Sequence, residues 1–291
     1  MFDLDTVACA IAAATDAPFQ LRASQRCPGG CINDAVILKG VDGRTFFTKV
    51  NNRSDSLSMF TAEAEALTAI GRTGVIRVPQ HITHGESDGA AFLVLEYLPM
   101  GGRGSFAGLG RSLAALHAVS SEHFGWHRDN FIGATPQKNA LVQDWPVFYR
   151  DQRLGYQIEL ARRNGLTLPG ADKLLDNIDL LFASYRPRPS LLHGDLWSGN
   201  VSFLTSGAEP VLFDPACYFG DRECDLAFTE MFGGFPAEFY CAYQAEWPLA
   251  DGYPLRKRLY NLYHELNHYN LFGGGYAGQV RNTIASLCAQ L

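Results

Sequence analysis

Residues 191–200 read Leu-Leu-His-Gly-Asp-Leu-Trp-Ser-Gly-Asn, and a second apolar run, Val211-Leu212-Phe213, closes on Asp214. Asp195, Asn200 and Asp214 thus combine two carboxylates and a carboxamide within one short stretch. A carboxylate can take a proton from a hydroxyl or orient it. Carboxylate and amide oxygens are also ligands that a hard cation such as Mg²⁺ prefers. An ordinary turn is the competing reading, because Gly-Asp and Ser-Gly-Asn are common turn residues. The His-Gly before Asp195, the apolar strand beyond it and the Asp ending that strand favour chemistry.

The pattern of an Asp, four residues and an Asn, then a further Asp, resembles the catalytic segment of protein-kinase-like phosphotransferases. By that resemblance Asp195 accepts or orients the proton of the acceptor hydroxyl, and Asn200 and Asp214 hold Mg²⁺. The fold it implies is α+β with two lobes. The N-terminal nucleotide-binding lobe, 1–98, is β-rich with one long helix, and the catalytic and substrate-binding lobe, 99–291, is mainly helical.

The elements that must position such residues can be traced along the chain. Residues 3–15 are alanine-rich with Leu4, Val7 and Ile11 on one face, which predicts a short amphipathic helix. Gly29 and Gly30 come just before two predicted strands, 35–39 and 45–50. A glycine turn between strands can place backbone N–H groups over phosphates, though a plain hairpin turn uses the same residues. Lys49 follows Phe46-Phe47 on a half-buried strand. It is either an edge-strand lysine or, by the kinase resemblance, the contact to the ATP phosphates.

A helix is predicted over 54–70, capped by Ser54 or Asp55 and ended by Gly71. Phe60, Ala64, Leu67 and Ile70 form its apolar stripe, and Glu63 falls on that stripe. A buried charge needs a partner, and Lys49 can supply one; a Glu63 reaching out at the rim of the core is the alternative. Glu65, round the helix, reads as solvated. Residues 91–98 form a continuous apolar strand before Pro99-Met100-Gly101-Gly102. In the kinase-like fold the adenine edge bonds to backbone here, at Glu96, Tyr97 and Leu98.

From Arg111 the pattern is helical, and His117 reads as a packed structural histidine. Residues 129–133 and 136–139 read as loops, Trp145 opens another helix, and 150–185 is helical with a break from Gly165 to Gly170. Asp225 is expected to start a helix and to brace the catalytic loop. The aromatics at 228–243 read mostly as core, and a helix through 262–270 ends at Phe272-Gly273.

Composition bounds the function. A 291-residue chain that is 47% hydrophobic and 19% charged is a folded protein of one large or two modest domains. A net charge of −6 and a pI near 5.7 argue against a broad nucleic-acid-binding surface. No apolar run approaches the ~20 residues of a membrane span, and the start, Met1-Phe2-Asp3-Leu4-Asp5, lacks the basic residues of a secretory signal. Seven scattered cysteines suggest neither a disulfide framework nor a zinc site. A cytoplasmic protein, with no nucleic-acid or membrane partner, is expected.

The resemblance extends further, to the fructosamine kinase (ketosamine 3-kinase) family. It is carried by Met59-Phe60 with Glu63, Phe124-Gly125-Trp126, Asn130 to Gly133 with Pro136-Gln137, and His193 to Asn200. Asp214-Pro215-Ala216, Tyr218 to Glu223, Phe232-Gly233-Gly234-Phe235, and Asn267-His268 with Phe272-Gly273 complete it, in family order. It implies transfer of the ATP γ-phosphoryl to the 3-hydroxyl of a small-molecule or protein-linked ketosamine, a deglycating repair activity. Asp214-Pro215-Ala216 stands where protein kinases carry Asp-Phe-Gly, and no Ala-Pro-Glu segment follows.

The family pattern also places Trp197 and His268 near the sugar. An indole face can pack on a sugar and an imidazole can bond its hydroxyls; structural packing is the alternative for both. Cys31 matches a redox-sensitive cysteine of some members, which implies a monomer or a redox-dependent homodimer; an inert thiol is the alternative, and Cys27 could compete for pairing. Two rival readings remain. An aminoglycoside- or choline-kinase-like phosphotransferase shares the His-Gly-Asp pattern but not Trp197-Ser198-Gly199 with Phe-Gly-Gly-Phe, and a nucleotide-binding pseudokinase requires the loss of a catalytic part.

Overall fold

The computed structural model describes residues 3–27 and 33–291. Gly29, Gly30 and Cys31 lie outside the described residues. The chain forms two compact units: residues 1–104 with 202–214, and residues 105–201 with 215–291.

The first unit opens with helix α1 (Leu4–Thr15). The Asp3 carboxylate caps it, accepting from the N–H of Asp5 at 2.9 Å and of Thr6 at 3.2 Å, which satisfies two of the helix's free N–H groups. Strands β1 (Leu21–Cys27), β2 (Asp34–Gly40) and β3 (Thr45–Asn51) follow. After helix α2 (Ser56–Thr73) come β4 (His81–Ser87) and β5 (Ala90–Glu96). The five strands make one antiparallel sheet in the order β1-β2-β3-β5-β4. Val7, Ala8 and Ile11 of α1 pack with Leu38, Phe46, Phe92 and Val94 on one face. Successive strand side chains alternate, so Lys49 points to the opposite face from Phe46, towards α2.

Helix α2 departs from its predicted bounds at both ends. Asp55 sits at the N-cap without a side-chain cap bond, because its carboxylate is held by Arg53 at 3.0 and 3.1 Å. Gly71 lies inside the helix, which turns out at Gly74 with φ 67°. Phe60, Ala64, Leu67 and Ile70 are buried as the stripe predicts, while Glu65 is half-buried rather than fully solvated. Strand β5 stops at Glu96, two residues before the predicted end.

Residues 202–214 join this unit through backbone bonds. The Phe203 carbonyl accepts from the N–H groups of Gly101 and Gly102 at 3.1 and 3.0 Å. The Thr205 N–H donates to Pro99 O at 2.8 Å, and the Leu212 N–H to Arg77 O at 3.0 Å.

The second unit begins with α3 (Phe106–Ala118), capped by the Ser105 hydroxyl. The stretches expected to be loops instead pair as a hairpin of β6 (Asn130–Ile132) and β7 (Thr135–Gln137). Helix α4 (Trp145–Phe148) continues through a π-helical turn, Tyr149–Gly155, into α5 (Tyr156–Arg163). Next are α6 (Ala171–Asp176) and the short strand β8 (Ser190–Leu192), then β9 (Val201–Phe203) and β10 (Pro210–Leu212), which apart from Val201 belong to the first unit, and β11 (Tyr218–Gly220). The chain ends in α7 (Glu223–Thr229), α8 (Ala237–Glu246), α9 (Tyr253–Phe272) and α10 (Ala277–Cys288). Strand β8 pairs antiparallel with β11, and β9 pairs with β10. The core gathers Trp145, Phe148, Tyr149, Leu192, Tyr260 and Leu266 among others. Among the described residues no helix is long and apolar enough to cross a membrane.

Candidate active site

Strand β3 delivers Lys49 and helix α2 delivers Glu63 to one point in the first unit. The Lys49 ammonium donates to Glu63 Oε1 at 2.7 Å and to Asp214 Oδ1 at 2.6 Å. The Lys49 and Glu63 side chains are only 8% and 13% exposed, whereas that of Asp214 is 46% exposed. Burial by itself lowers the pKa of Lys49, but the charges of Asp214 and Glu63 outweigh it and raise the pKa well above the ordinary value. The ammonium is therefore permanently charged, and the carboxylate of Asp214 is half open to solvent. Asp214 has φ 57°, a left-handed conformation uncommon outside glycine and asparagine and often tied to function.

The second unit carries the loop that follows β8. Gly194 has φ 81°, and a Cβ there would lie 2.1 Å from Ala216 O; no other residue fits between His193 and Asp195. The loop is held from below by Asp225, the third residue of α7. Its carboxylate accepts from the N–H of His193 at 2.7 Å and of Gly194 at 2.9 Å. It also meets His117 Nε2 at 3.1 Å, and His117 Nδ1 reaches the Tyr243 hydroxyl at 2.7 Å. Burial tends to raise the Asp225 carboxyl, but His117, His193 and the Gly194 N–H hold it below the ordinary carboxylate range. Asp225 thus braces the loop as expected, from within its helix and not as a cap.

Asn200 turns its amide nitrogen to Asp195, donating to the backbone oxygen at 2.8 Å and to Oδ2 at 3.1 Å. That fixes the Asp195 carboxylate and points the Asn200 carbonyl oxygen the other way. A half-exposed carboxylate such as that of Asp214 and an amide oxygen such as that of Asn200 are each donor types that Mg²⁺ takes, alongside phosphates and water. Among the described residues no group of three or more His, Cys, Asp or Glu is arranged for a metal. The donor chemistry fits.

Trp197 and His268 come together through a residue that the sequence reading assigned to the core. Phe232 lies 5.6 Å from the Trp197 ring and 5.5 Å from that of His268, edge-on to each. The Trp197 indole lies over Gly199, where a Cβ would come within 2.3 Å of it. His268 Nδ1 bonds the His264 carbonyl at 2.6 Å, so Nδ1 carries the proton and Nε2 is an acceptor. Glu96, Tyr97 and Leu98 lie at and beyond the end of β5. The Glu96 N–H already donates to Gln80 O at 2.8 Å, and its carboxylate pairs with Arg77. The Glu96 N–H is therefore already engaged within the sheet.

One supporting set was given no role in the sequence analysis, although Asn130 and Gln137 fall in the family pattern. Asn130 donates to Cys217 O at 2.7 Å, Gln137 to Ala216 O at 3.1 Å and Asn139 to Asn130 Oδ1 at 2.8 Å. All three are buried, and they hold the segment just after Asp214.

The fructosamine kinase family profile matches residues 4–290. A Synechocystis protein named "Probable ketoamine kinase" is 48% identical over 96% of this chain and 95% of its own length. The chloroplastic protein-ribulosamine 3-kinase of Arabidopsis thaliana is 43% identical over 88% of this chain and 79% of its own. The crystal structure of a "Putative fructosamine-3-kinase" from Haemophilus somnus 129PT superposes with a TM-score of 0.89 at 30% identity, over 97% of this chain and 96% of that one. With likeness running across the whole catalytic frame, this chain belongs to the fructosamine kinase family.

Proposed function

We propose that the protein transfers the γ-phosphoryl group of ATP to the 3-hydroxyl of ketosamines, acting in the cytoplasm as a deglycating kinase. The observation that carries this reading is the braced loop from His193 to Asn200, with its carboxylate fixed by Asn200. Asp195 accepts the proton of the 3-hydroxyl or orients it. Lys49, held by Glu63, contacts the nucleotide phosphates, and the glycines at 29 and 30 cover them. Backbone at 96–98 receives the adenine edge. Asn200 and Asp214 hold Mg²⁺, which, when bound, neutralises charge on the phosphates during transfer. Trp197 and His268 contact the sugar, His268 accepting a hydroxyl proton at Nε2. The lobes of this assignment are 1–98 and 99–291. The relatives' names speak of ketoamines and ribulosamines, so ribulosamine and fructosamine adducts are the substrates to try first.

The test is ADP release with Mg·ATP against ribuloselysine, fructoselysine, kanamycin and choline. Turnover on a ketosamine is expected, with kcat falling by roughly 10²–10⁴-fold in Asp195→Asn. A loss below tenfold removes Asp195 from its role. Turnover only on kanamycin or choline moves the protein to the rival kinases, and nucleotide binding without any turnover makes it a pseudokinase.

A further inference from the structure

Phe232 is 42% exposed and Phe272 59% exposed, which is unusual for large apolar rings that touch other rings. They do not stand alone. From Trp197 the rings run through Phe232 to His268, and His268 lies 5.8 Å from Phe272 and 5.2 Å from Tyr276. No pair in this row is stacked face to face: the planes meet at 43–66°, and Phe232 and Phe272 keep much of their ring surface exposed. Five aromatic rings from the catalytic loop, the segment after α7, and the end of α9 with the turn beyond it thus form one open row.

The row carries no cation of its own. Burial pushes the His268 imidazole below its ordinary pKa. His264 beneath it, stacked on Phe228 at 3.6 Å, is pushed down to about 3. Both are neutral at pH 7. Uncharged rings with open faces attract a cation through their quadrupoles, whereas charged imidazoles would repel it. A ketosamine carries such a cation, the secondary ammonium that joins sugar to amine, and Trp197 sits two residues after Asp195.

We propose that Phe232, Phe272 and Tyr276, with Trp197 and His268, form an aromatic cradle that selects ketosamines by their secondary ammonium. This deepens the kinase reading and rests on it for the identity of the ligand. Phe232 is the central specificity residue, because it alone touches both Trp197 and His268 among these rings.

The experiment measures binding apart from turnover, by titration calorimetry in the absence of nucleotide. The two ligands are Nα-acetyl-fructoselysine and its analogue with sulfur in place of the ketosamine nitrogen, which has the same shape and no ammonium. The wild type is expected to bind the ammonium ligand about fivefold to tenfold more tightly. Phe232→Leu, and separately the more exposed Phe272→Leu, should erase most of that preference while changing affinity for the thioether less than twofold. Phe232→Tyr should retain it. Equal wild-type affinity for the two ligands, binding of neither, or equal losses on both in the leucine variants would overturn the cradle. Phosphorylation of fructoselysine is scored on the same samples: ammonium-selective binding without turnover refutes the kinase reading and leaves the cradle standing.

Discussion

At the scale of single residues, the site depends on positions where only one side chain fits. Gly194 is fixed by the approach of Ala216 O, and Gly199 by the indole of Trp197. Their contributions differ: Gly194 shapes the backbone that Asp225 holds, while Gly199 makes room for a ring. Gly199→Ala must displace the indole, since its Cβ would otherwise overlap the ring. The expected result is a KM for ketosamine raised about tenfold with an unchanged KM for ATP, measured by ADP release. A rise in both would mean that the loop backbone had moved. Lys49 illustrates the same economy, for it was legible as a lone charge on a half-buried strand. Its bond to Asp214, 165 positions away, was not.

At the scale of elements, α7 and α9 link the loop to the aromatic row. Phe228 of α7 stacks on His264 of α9 with planes only 6° apart, and His264 is buried and neutral. The sign of its contribution follows from linkage. The folded pKa, about 3, lies below the ordinary 6.5, so the unfolded chain takes up the proton first. Its stability contribution is therefore full above pH 6.5 and declines as pH falls towards 3. The slope from this group is about 1.4 kcal/mol per pH unit. Urea unfolding from pH 7 to pH 4 should show that decline, and His264→Gln should flatten it. An unchanged slope in the variant would place the acid sensitivity elsewhere. The hairpin β6–β7 is the element that the sequence reading misjudged. Its strands are three residues long, too short for a periodic signal, and their purpose is the amide bonds to Ala216 and Cys217.

At the scale of the whole molecule, ligand binding should appear as stability. A ligand that binds only the folded chain stabilises it by RT ln(1 + [L]/Kd), about 2.7 kcal/mol at a hundredfold excess over Kd. Mg·ATP should therefore raise the melting temperature by several degrees. That rise should persist in Asp195→Asn and shrink strongly in Asp214→Ala, as followed by scanning calorimetry. An equal rise in Asp214→Ala would remove it from the ion's ligands. Cys31 lies outside the described residues, beside the glycines proposed for the phosphates, and its oxidation is expected to impair nucleotide binding. Cys31→Ser should then resist peroxide in an ATP-binding assay; equal sensitivity to wild type rejects a regulatory role.

The sequence by itself determined the candidate residues and their order: Lys49 on a strand, Glu63 on the apolar stripe of a helix, then Asp195, Asn200 and Asp214. Lys49 and Glu63 were readable because the cost of burying an unpaired charge acts over a few residues, and Asp195, Asn200 and Asp214 because their spacing resembles the kinase-like pattern. It also set the helices whose apolar periodicity spans several turns, such as α2 and the later part of α9. Tertiary structure alone decided that residues 202–214 leave the helical unit and join the sheet-bearing one. That choice is made by backbone bonds to Pro99, Gly101, Gly102 and Arg77, and backbone groups are the same in every sequence. It likewise decided that Phe232 stands between Trp197 and His268. A phenylalanine reads as core until the rings around it are known, and contacts between distant segments have no period to betray them.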